Sequence, residues 1–431
     1  MSELIYAIDY GTSNSLLAAA DASGVKAPIP LDPAAPDPTV LRSILYAPSL
    51  EQWYFGAQAI DQYMSHLAEG RLLRSMKKYL PESSFTGTRI HDRFYNLTEI
   101  IAVFLREMRT RANSHFQQDV TSVVMGRPAA FSLDSAPDEL AERRLRTAAQ
   151  LAGFKHIEFC PEPLAAAYEF RHQMIGPTMV LIADFGGGTS DFTVLRMDKG
   201  EFSDKDVLAI GGVPIAGDRF DGAIMRHQIA PHFGANVVYR MPMGSNDLHL
   251  PHHLLNRLCT PADISFLARQ DIQNLLRDAQ RWSMDAGDAL KMERLFLLVE
   301  EHLGYKLFRS IEHTKIELSD HSEATFIFDH PEIELKEQIY SADFKNSAAD
   351  LVTRITDALD QTLARAGVTP GDIDIVCCTG GTAKLPALSL ELERRFGKEK
   401  LRQHRHFHSV IGGLAEKALT LFAPTRSRPK G

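Results

Sequence analysis

Two stretches of the chain share one order of apolar and polar positions. Leu181-Ile-Ala-Asp184-Phe-Gly186-Gly187-Gly188-Thr189-Ser-Asp191-Phe-Thr-Val-Leu195 runs from an apolar segment through Asp, glycines and Thr into alternating apolar residues. Leu4-Ile-Tyr-Ala-Ile8-Asp9-Tyr-Gly11-Thr12-Ser13-Asn14-Ser15-Leu-Leu-Ala repeats that order near the N-terminus. Each pattern predicts a strand, a tight turn and a second strand. Between and beyond them the period changes. Residues 97–116 place Ile100, Ile101, Phe104, Leu105 and Met108 on one helical face. Residues 120–128 read as a strand entering a proline turn, and 139–152 as a helix closed by Gly153. The segment 27–48 carries Pro28, Pro30, Pro33, Pro36, Pro38 and Pro48, a density that excludes a helix there. Residues 223–302 are mostly helical with a polar interruption near 243–253, 323–328 and 333–339 form short strands, and 348–366 form an amphipathic helix ending at Gly367.

The hairpin tips are where chemistry enters. Consecutive glycines can take φ > 0 and let a bulky anion approach the backbone N–H groups. Asp184, at the end of its strand, can reach a hydrated metal ion on that anion, and Thr189 adds a hydroxyl donor. A single glycine cluster is equally what an ordinary hairpin shows. Two hairpins of one design, far apart in sequence, point instead to two similar halves facing each other across a nucleotide.

The totals narrow the setting. A chain of 431 residues exceeds one core, and two lobes are expected. Hydrophobic residues make up 44% and charged residues 24%, the profile of a soluble globular protein. A formal net charge of −8 forces no basic patch, which argues against a nucleic-acid partner. Four cysteines, Cys160, Cys259, Cys377 and Cys378, are too few and scattered for a disulfide framework. The first strand opens at Leu4, leaving no room for a signal peptide, and no apolar run is long enough to span a membrane. A cytoplasmic setting is therefore expected.

Ile8-Asp9-Tyr-Gly11-Thr12-Ser13-Asn14-Ser15 and Ala183-Asp184-Phe-Gly186-Gly187-Gly188-Thr189-Ser-Asp191 resemble the two phosphate motifs of the seventy-kilodalton heat-shock (DnaK-type) chaperones, within the actin, sugar-kinase and heat-shock superfamily. The resemblance implies an α/β fold of the actin-like ATPase type, with duplicated mixed-sheet lobes around a nucleotide cleft. It assigns lobe I to residues 1–176 and 404–431, with a small subdomain near 41–114. Lobe II is 177–403, with a small subdomain near 223–340. Its site residues follow motif by motif. Asp9 and Asp184 hold Mg²⁺, through its waters. Gly11, Thr12 and Ser13, with Gly186, Gly187, Gly188 and Thr189, cradle the phosphates of ATP or ADP. In Arg71-Leu-Leu-Arg-Ser-Met-Lys77-Lys78-Tyr79, Lys77 matches the lysine that reaches the γ-phosphate, with Lys78 adjacent. Taken alone, either lysine reads as readily as a solvated basic helix end.

Phe159-Cys-Pro-Glu162-Pro-Leu-Ala165-Ala-Ala-Tyr168 is similar to the family's connecting motif, and Glu162 takes the place of the glutamate near the attacking water. Asp191 joins it. Read without the resemblance, Glu162 is a helix-start carboxylate favoured by the dipole. Ile210-Gly-Gly-Val-Pro-Ile-Ala-Gly217-Asp218-Arg-Phe220-Asp221 resembles a glycine-rich turn followed by Asp-Phe-Asp, which brings Gly217 to the nucleotide. Glu312, Lys315 and Ser319 fall where the family's helix grips ribose and base, and Ile316 stands where an arginine stacks on adenine. Gly380, Gly381 and Thr382 match the segment on which adenosine lies. Ser409-Val-Ile-Gly412-Gly413-Leu-Ala is similar to the family's last helix, but Phe407 stands near the place of an expected acid. No interdomain linker, peptide-binding β-sandwich or helical lid is expected after Gly413.

The resemblance therefore implies an ATP-hydrolysing, chaperone-like conformational switch, of slow activity, with an unidentified protein partner or client. The same fold also admits a small-molecule, sugar-type kinase or an actin-like filament subunit. The remaining signals are weaker. The His404-x-His406-x-His408 run and the His252-His253 pair lack a cysteine or carboxylate set, so no metal is expected there. Cys377 and Cys378 read as buried strand residues. The tail 424–431 is expected to fray.

Overall fold

The computed structural model describes residues 3–66, 70–132, 134–170, 176–197, 206–242, 244–261, 263–403 and 408–421. The contacts divide the chain into two compact units. One comprises Met1–Pro214, Asp357–Ala383 and Leu392–Gly431, the other Ile215–Thr356 and Lys384–Glu391.

The first unit contains two sheets built on one plan. The first hairpin pairs Ile5–Tyr10 with Asn14–Asp21, placing Asp9 opposite Leu16, and Gly24–Lys26 extends it. On the other side of the first strand, Ser122–Arg127 and then His156–Pro161 add in parallel. The second hairpin pairs Thr178–Phe185 with Ser190–Met197, placing Asp184 opposite Asp191, and Val207–Val213 continues it. Ile375–Thr379 and Leu401–Gln403 add in parallel beyond its first strand. In both sheets the order is third, second, first, fourth, fifth strand. A parallel neighbour requires a crossover, and helices supply it. Leu97–Phe116 and Ser135–Leu151 serve the first sheet, while the crossover into Ile375–Thr379 carries most of the second unit.

The strand pattern explains the layering. Tyr6, Ile8, Leu17 and Ala19 face a cluster with Phe104, Leu105 and Met108 of the long helix. Their alternates Ile5, Ala7, Leu16 and Ala18 join Val180, Ile182 and Leu195 of the second sheet. Between them sit Leu164 and Ala165 of the helix Glu162–Phe170 and Ile411, Leu414 and Ala418 of the helix His408–Thr420. Both faces are covered, so the central strands are nearly continuously apolar.

The second unit holds the helices Gly217–Ile224, His252–Leu258, Gln270–Arg281, Asp288–Glu300 and Gly304–Asp320. It also has the hairpin Glu323–His330/Ile333–Tyr340 and a short hairpin, Val238–Tyr239 with Leu248–His249, in the polar interruption of the helical stretch. Among the described residues no helix is long and apolar enough to cross a membrane. The four cysteines are buried and none is in a disulfide.

Several local expectations shift. The helix predicted over 139–152 runs Ser135–Leu151, because Pro137 falls in its first turn, where no intrahelical N–H is needed. The helix predicted from 348 begins at Ser341, its first turn anchored by buried Phe344, whose ring meets Phe220 edge-on at 6.3 Å. Gly211 and Gly212 lie in the edge strand Val207–Val213 rather than in a turn. Residues 71–79 are a strand, Arg71–Arg74, paired with Ile44–Ala47, followed by the tight turn Met76–Tyr79. The histidines 404 and 406, Phe407 and the tail 424–431 lie outside the described residues.

Candidate functional site

In the first unit both hairpin tips are held by residues distant in sequence. A Cβ on Gly11 would lie 2.1 Å from the Asn14 carbonyl oxygen, so only glycine closes that turn. Ser43 secures it from outside. Its N–H donates to the Ser13 carbonyl (2.9 Å) and its hydroxyl to the Gly11 carbonyl (2.8 Å), while the Ser15 and Ser43 hydroxyls bond to each other (2.9 Å). In the second tip the Gly186 N–H donates to the Thr189 carbonyl (3.0 Å). Thr382 donates to the Gly186 carbonyl (3.0 Å). Gly380, at φ +81°, packs so closely that a Cβ would lie 2.0 Å from the Phe185 carbonyl oxygen. The two tips come together: a Cβ on Gly188 would lie 3.9 Å from the Thr12 methyl carbon.

Four carboxylates and one ammonium occupy this region. Glu162 opens its helix, and Lys77 Nζ donates to Glu162 Oε1 at 2.8 Å across 85 residues of sequence. Lys77 is 8% exposed, whereas Lys78 is exposed with its Nζ 4.8 Å above the Tyr79 ring. Burial works against the Lys77 charge, yet Glu162, Asp9 and Asp184 outweigh it and raise the lysine pKa. Desolvation, with the Glu162 and Asp184 charges, pushes Asp9 up to about 8 against the pull of Lys77. Asp184 is raised by desolvation and Glu162, opposed by the Thr379 hydroxyl, which donates to its Oδ1 at 2.7 Å. Asp191 rises to about 7, mainly by desolvation, although Thr189 donates to its Oδ2 at 2.7 Å. Gly212 makes room for that carboxylate, since a Cβ there would lie 2.6 Å from Asp191 Oδ1. Carboxyl groups, an ammonium and two glycine turns thus lie together, an arrangement that suits a cation and a polyanion bound together. Among the described residues no three His, Cys, Asp or Glu side chains are grouped to ligate a metal directly.

In the second unit, Lys315 Nζ lies 2.8 Å from Asp221 Oδ1 and 3.4 Å from the Gly217 carbonyl. Burial raises Asp221 to about 6 despite the lysine. Burial opposes the Lys315 charge, but Asp221 outweighs it. Ser319 turns its hydroxyl onto the Lys315 carbonyl (3.2 Å), Glu312 is half-buried on the same helix, and Ile316 is 57% exposed.

The structure therefore brings Asp9, the Gly11–Ser13 turn, Lys77, Glu162, Asp184, the Gly186–Thr189 turn, Asp191, Gly380 and Thr382 into one unit, with Gly381 open to space. Gly217, Glu312, Lys315 and Ser319 belong to the other unit. Sequence reasoning missed Ser43 and Thr379. Thr379 directly precedes the Gly380-Gly381 pair, a usable signal; Ser43 lies in a proline-rich stretch with none.

The family model described as Hsp70 protein matches residues 71–239 and 293–422 of this chain. The unmatched 240–292 lie within the 223–302 stretch. "Chaperone protein DnaK" from two strains of Thermus thermophilus is 26% identical over 350 residues, covering 79% of this chain and 46% of each relative. The chain thus spans about half the length of the curated relatives it matches.

Proposed function

The chain belongs to the Hsp70 family, and from that premise we propose that it binds ATP or ADP with Mg²⁺ and hydrolyses ATP slowly, as a nucleotide-driven, chaperone-like conformational switch acting on a protein partner in the cytoplasm. The observation that carries the reading is the convergence of two Asp–Gly hairpins on the Lys77–Glu162 pair. Backbone N–H groups of the Gly11–Ser13 and Gly186–Thr189 turns suit phosphate oxygens. The donor set also fits a hydrated Mg²⁺. Its groups are carboxylate oxygens, hard ligands suited to Mg²⁺ and its waters. Desolvation and the neighbouring Glu162 charge raise the proton affinity of Asp9 and Asp184, and a bound cation would relieve this. Mg²⁺, when bound, supplies charge neutralisation at the phosphates.

This chain's own groups then have distinct work. Lys77 moves from Glu162 toward the terminal phosphate and offsets charge developing there. Glu162, released, orients the attacking water. Asp191, held by the Thr189 hydroxyl, orients that water with it. In the second unit, Asp221 positions Lys315 on the helix Gly304–Asp320, which also carries Glu312 and Ser319. The test is a thermal melt with and without Mg-ATP and Mg-ADP, followed by single-turnover phosphate release. Ligands that bind the native state raise the melting temperature. A melt unmoved by saturating nucleotide overturns the proposal.

A further inference from the structure

Arg144 lies outside every motif considered above, on the helix Ser135–Leu151. Its guanidinium gathers four backbone carbonyls of one short loop. Nη1 donates to Tyr79 (3.1 Å), Leu80 (3.0 Å) and Glu82 (2.9 Å), and Nη2 donates to Phe85 (3.2 Å). That loop leaves directly from the turn Met76–Tyr79, which carries Lys77. The Leu80 N–H donates back to the Lys77 carbonyl at 3.1 Å, so the turn and the gathered loop share a bond. The rings of Tyr79 and Phe85 stack at 4.3 Å and close the loop on itself.

The other end of the turn is under strain. Ser75 is buried and left-handed, φ 56° and ψ 35°, a conformation costly for a residue with a Cβ. Such a backbone persists only where its surroundings over-determine it. The strand Arg71–Arg74, paired with Ile44–Ala47, holds the chain before Ser75. Arg144 holds it after Tyr79.

We propose that Arg144 is a positioning residue for Lys77: by fixing the carbonyls of 79–85 it keeps the strained turn in the form that delivers Lys77 Nζ to Glu162. Lysine cannot replace it, because one ammonium does not span four carbonyls in a planar fork. The kinetic part of the proposal rests on the ATPase reading; the positional part does not.

The experiment uses the full chain with Arg144→Ala and Arg144→Lys. Brief acylation with acetic anhydride, read by mass spectrometry, compares Lys77 with exposed Lys78 as an internal reference. Lys77, buried and ion-paired, labels slowly in the parent. In both variants the Lys77-to-Lys78 labelling ratio rises about fivefold or more as the turn opens locally. Millimolar methylguanidinium returns the Arg144→Ala ratio toward the parent. In ATP hydrolysis kcat falls about 10- to 100-fold while KM stays within about twofold, as expected of a displaced catalytic group. If Arg144→Ala does not fold, Arg144→Lys carries the same comparison. An unchanged labelling ratio in a folded variant overturns the proposal, and so does a raised ratio with unchanged kcat. A parent without ATPase activity refutes the ATPase reading alone, and the labelling ratio still decides the role of Arg144.

Discussion

Two adjacent glycines in the last described helix should respond to alanine in opposite directions. Gly413 crosses the helix that begins at Glu162 so closely that a Cβ would lie 1.7 Å from the Ala165 carbonyl oxygen and 2.4 Å from its carbon. Ordinary contact begins near 3.4 Å, so the helices must part by about 1.7 Å. The opposing atoms are backbone, and no side chain can swing away. Overpacking of this kind costs typically 1–3 kcal/mol. The upper end applies here, because Leu164, Ile411, Leu414 and Ala418 fill the space around the crossing. Alanine returns up to about 1 kcal/mol through helix propensity, which leaves about 2 kcal/mol of destabilisation. Gly412 has nothing within 4 Å of its Cβ position. Gly412→Ala should therefore stabilise by up to about 1 kcal/mol. At roughly 2–4 °C per kcal/mol, Gly413→Ala melts about 4–8 °C below the parent and Gly412→Ala about 2–4 °C above it. Because Ala165 lies one turn beyond Glu162, Gly413→Ala also slows hydrolysis, whereas Gly412→Ala does not. Urea denaturation and calorimetry read both variants. A Gly413→Ala melt within 1 °C of the parent, or shifts of one sign in both, would refute the packing argument.

Asp9→Asn, Asp184→Asn and Lys77→Ala should each reduce single-turnover hydrolysis on the order of 10²-fold while the fold is retained, and rates within twofold of the parent for all three remove them from the mechanism. Asp9 and Asp191 are raised to about 8 and about 7 in the fold, above the ordinary carboxylate value, so the stability they contribute is complete below about pH 4 and is lost as pH rises through 7 to 8. Without nucleotide the protein should therefore lose this contribution from about pH 4 to 8, by at most about 1.4 kcal/mol per pH unit for each proton, and Asp9→Asn should flatten that slope; a parent whose urea midpoint rises between pH 6 and 8 contradicts the assignment. Thr379→Val keeps the shape but removes the hydroxyl that bonds Asp184, so calorimetry should show Mg-nucleotide affinity weakened about 10- to 100-fold, and an unchanged affinity would exclude Asp184 from the cation site.

The local pattern of the chain already contained both Asp–Gly hairpins, the helix Leu97–Phe116 and the strand Ile375–Thr379 with its glycine turn. These are short-range matters: side-chain period, glycine backbone freedom and helix stop signals act within a few residues. The duplication was legible for the same reason, since each hairpin closes on itself. Charge state and partnership were not legible. Lys77, in a basic run, reads as solvated, yet it is buried because a helix start 85 residues away brings Glu162 to it. Gly212 looks like turn punctuation, but it clears space for Asp191 across a strand pair. Ser43, in the bend between the strands Leu41–Arg42 and Ile44–Ala47, and Thr379, at the end of its strand, became part of the site only when those segments were placed beside the hairpins. The raised proton affinities of Asp9, Asp184 and Asp191 have the same origin. They come from desolvation and like charge converging in space, and only the order of strands in the two sheets decides which carboxylates meet.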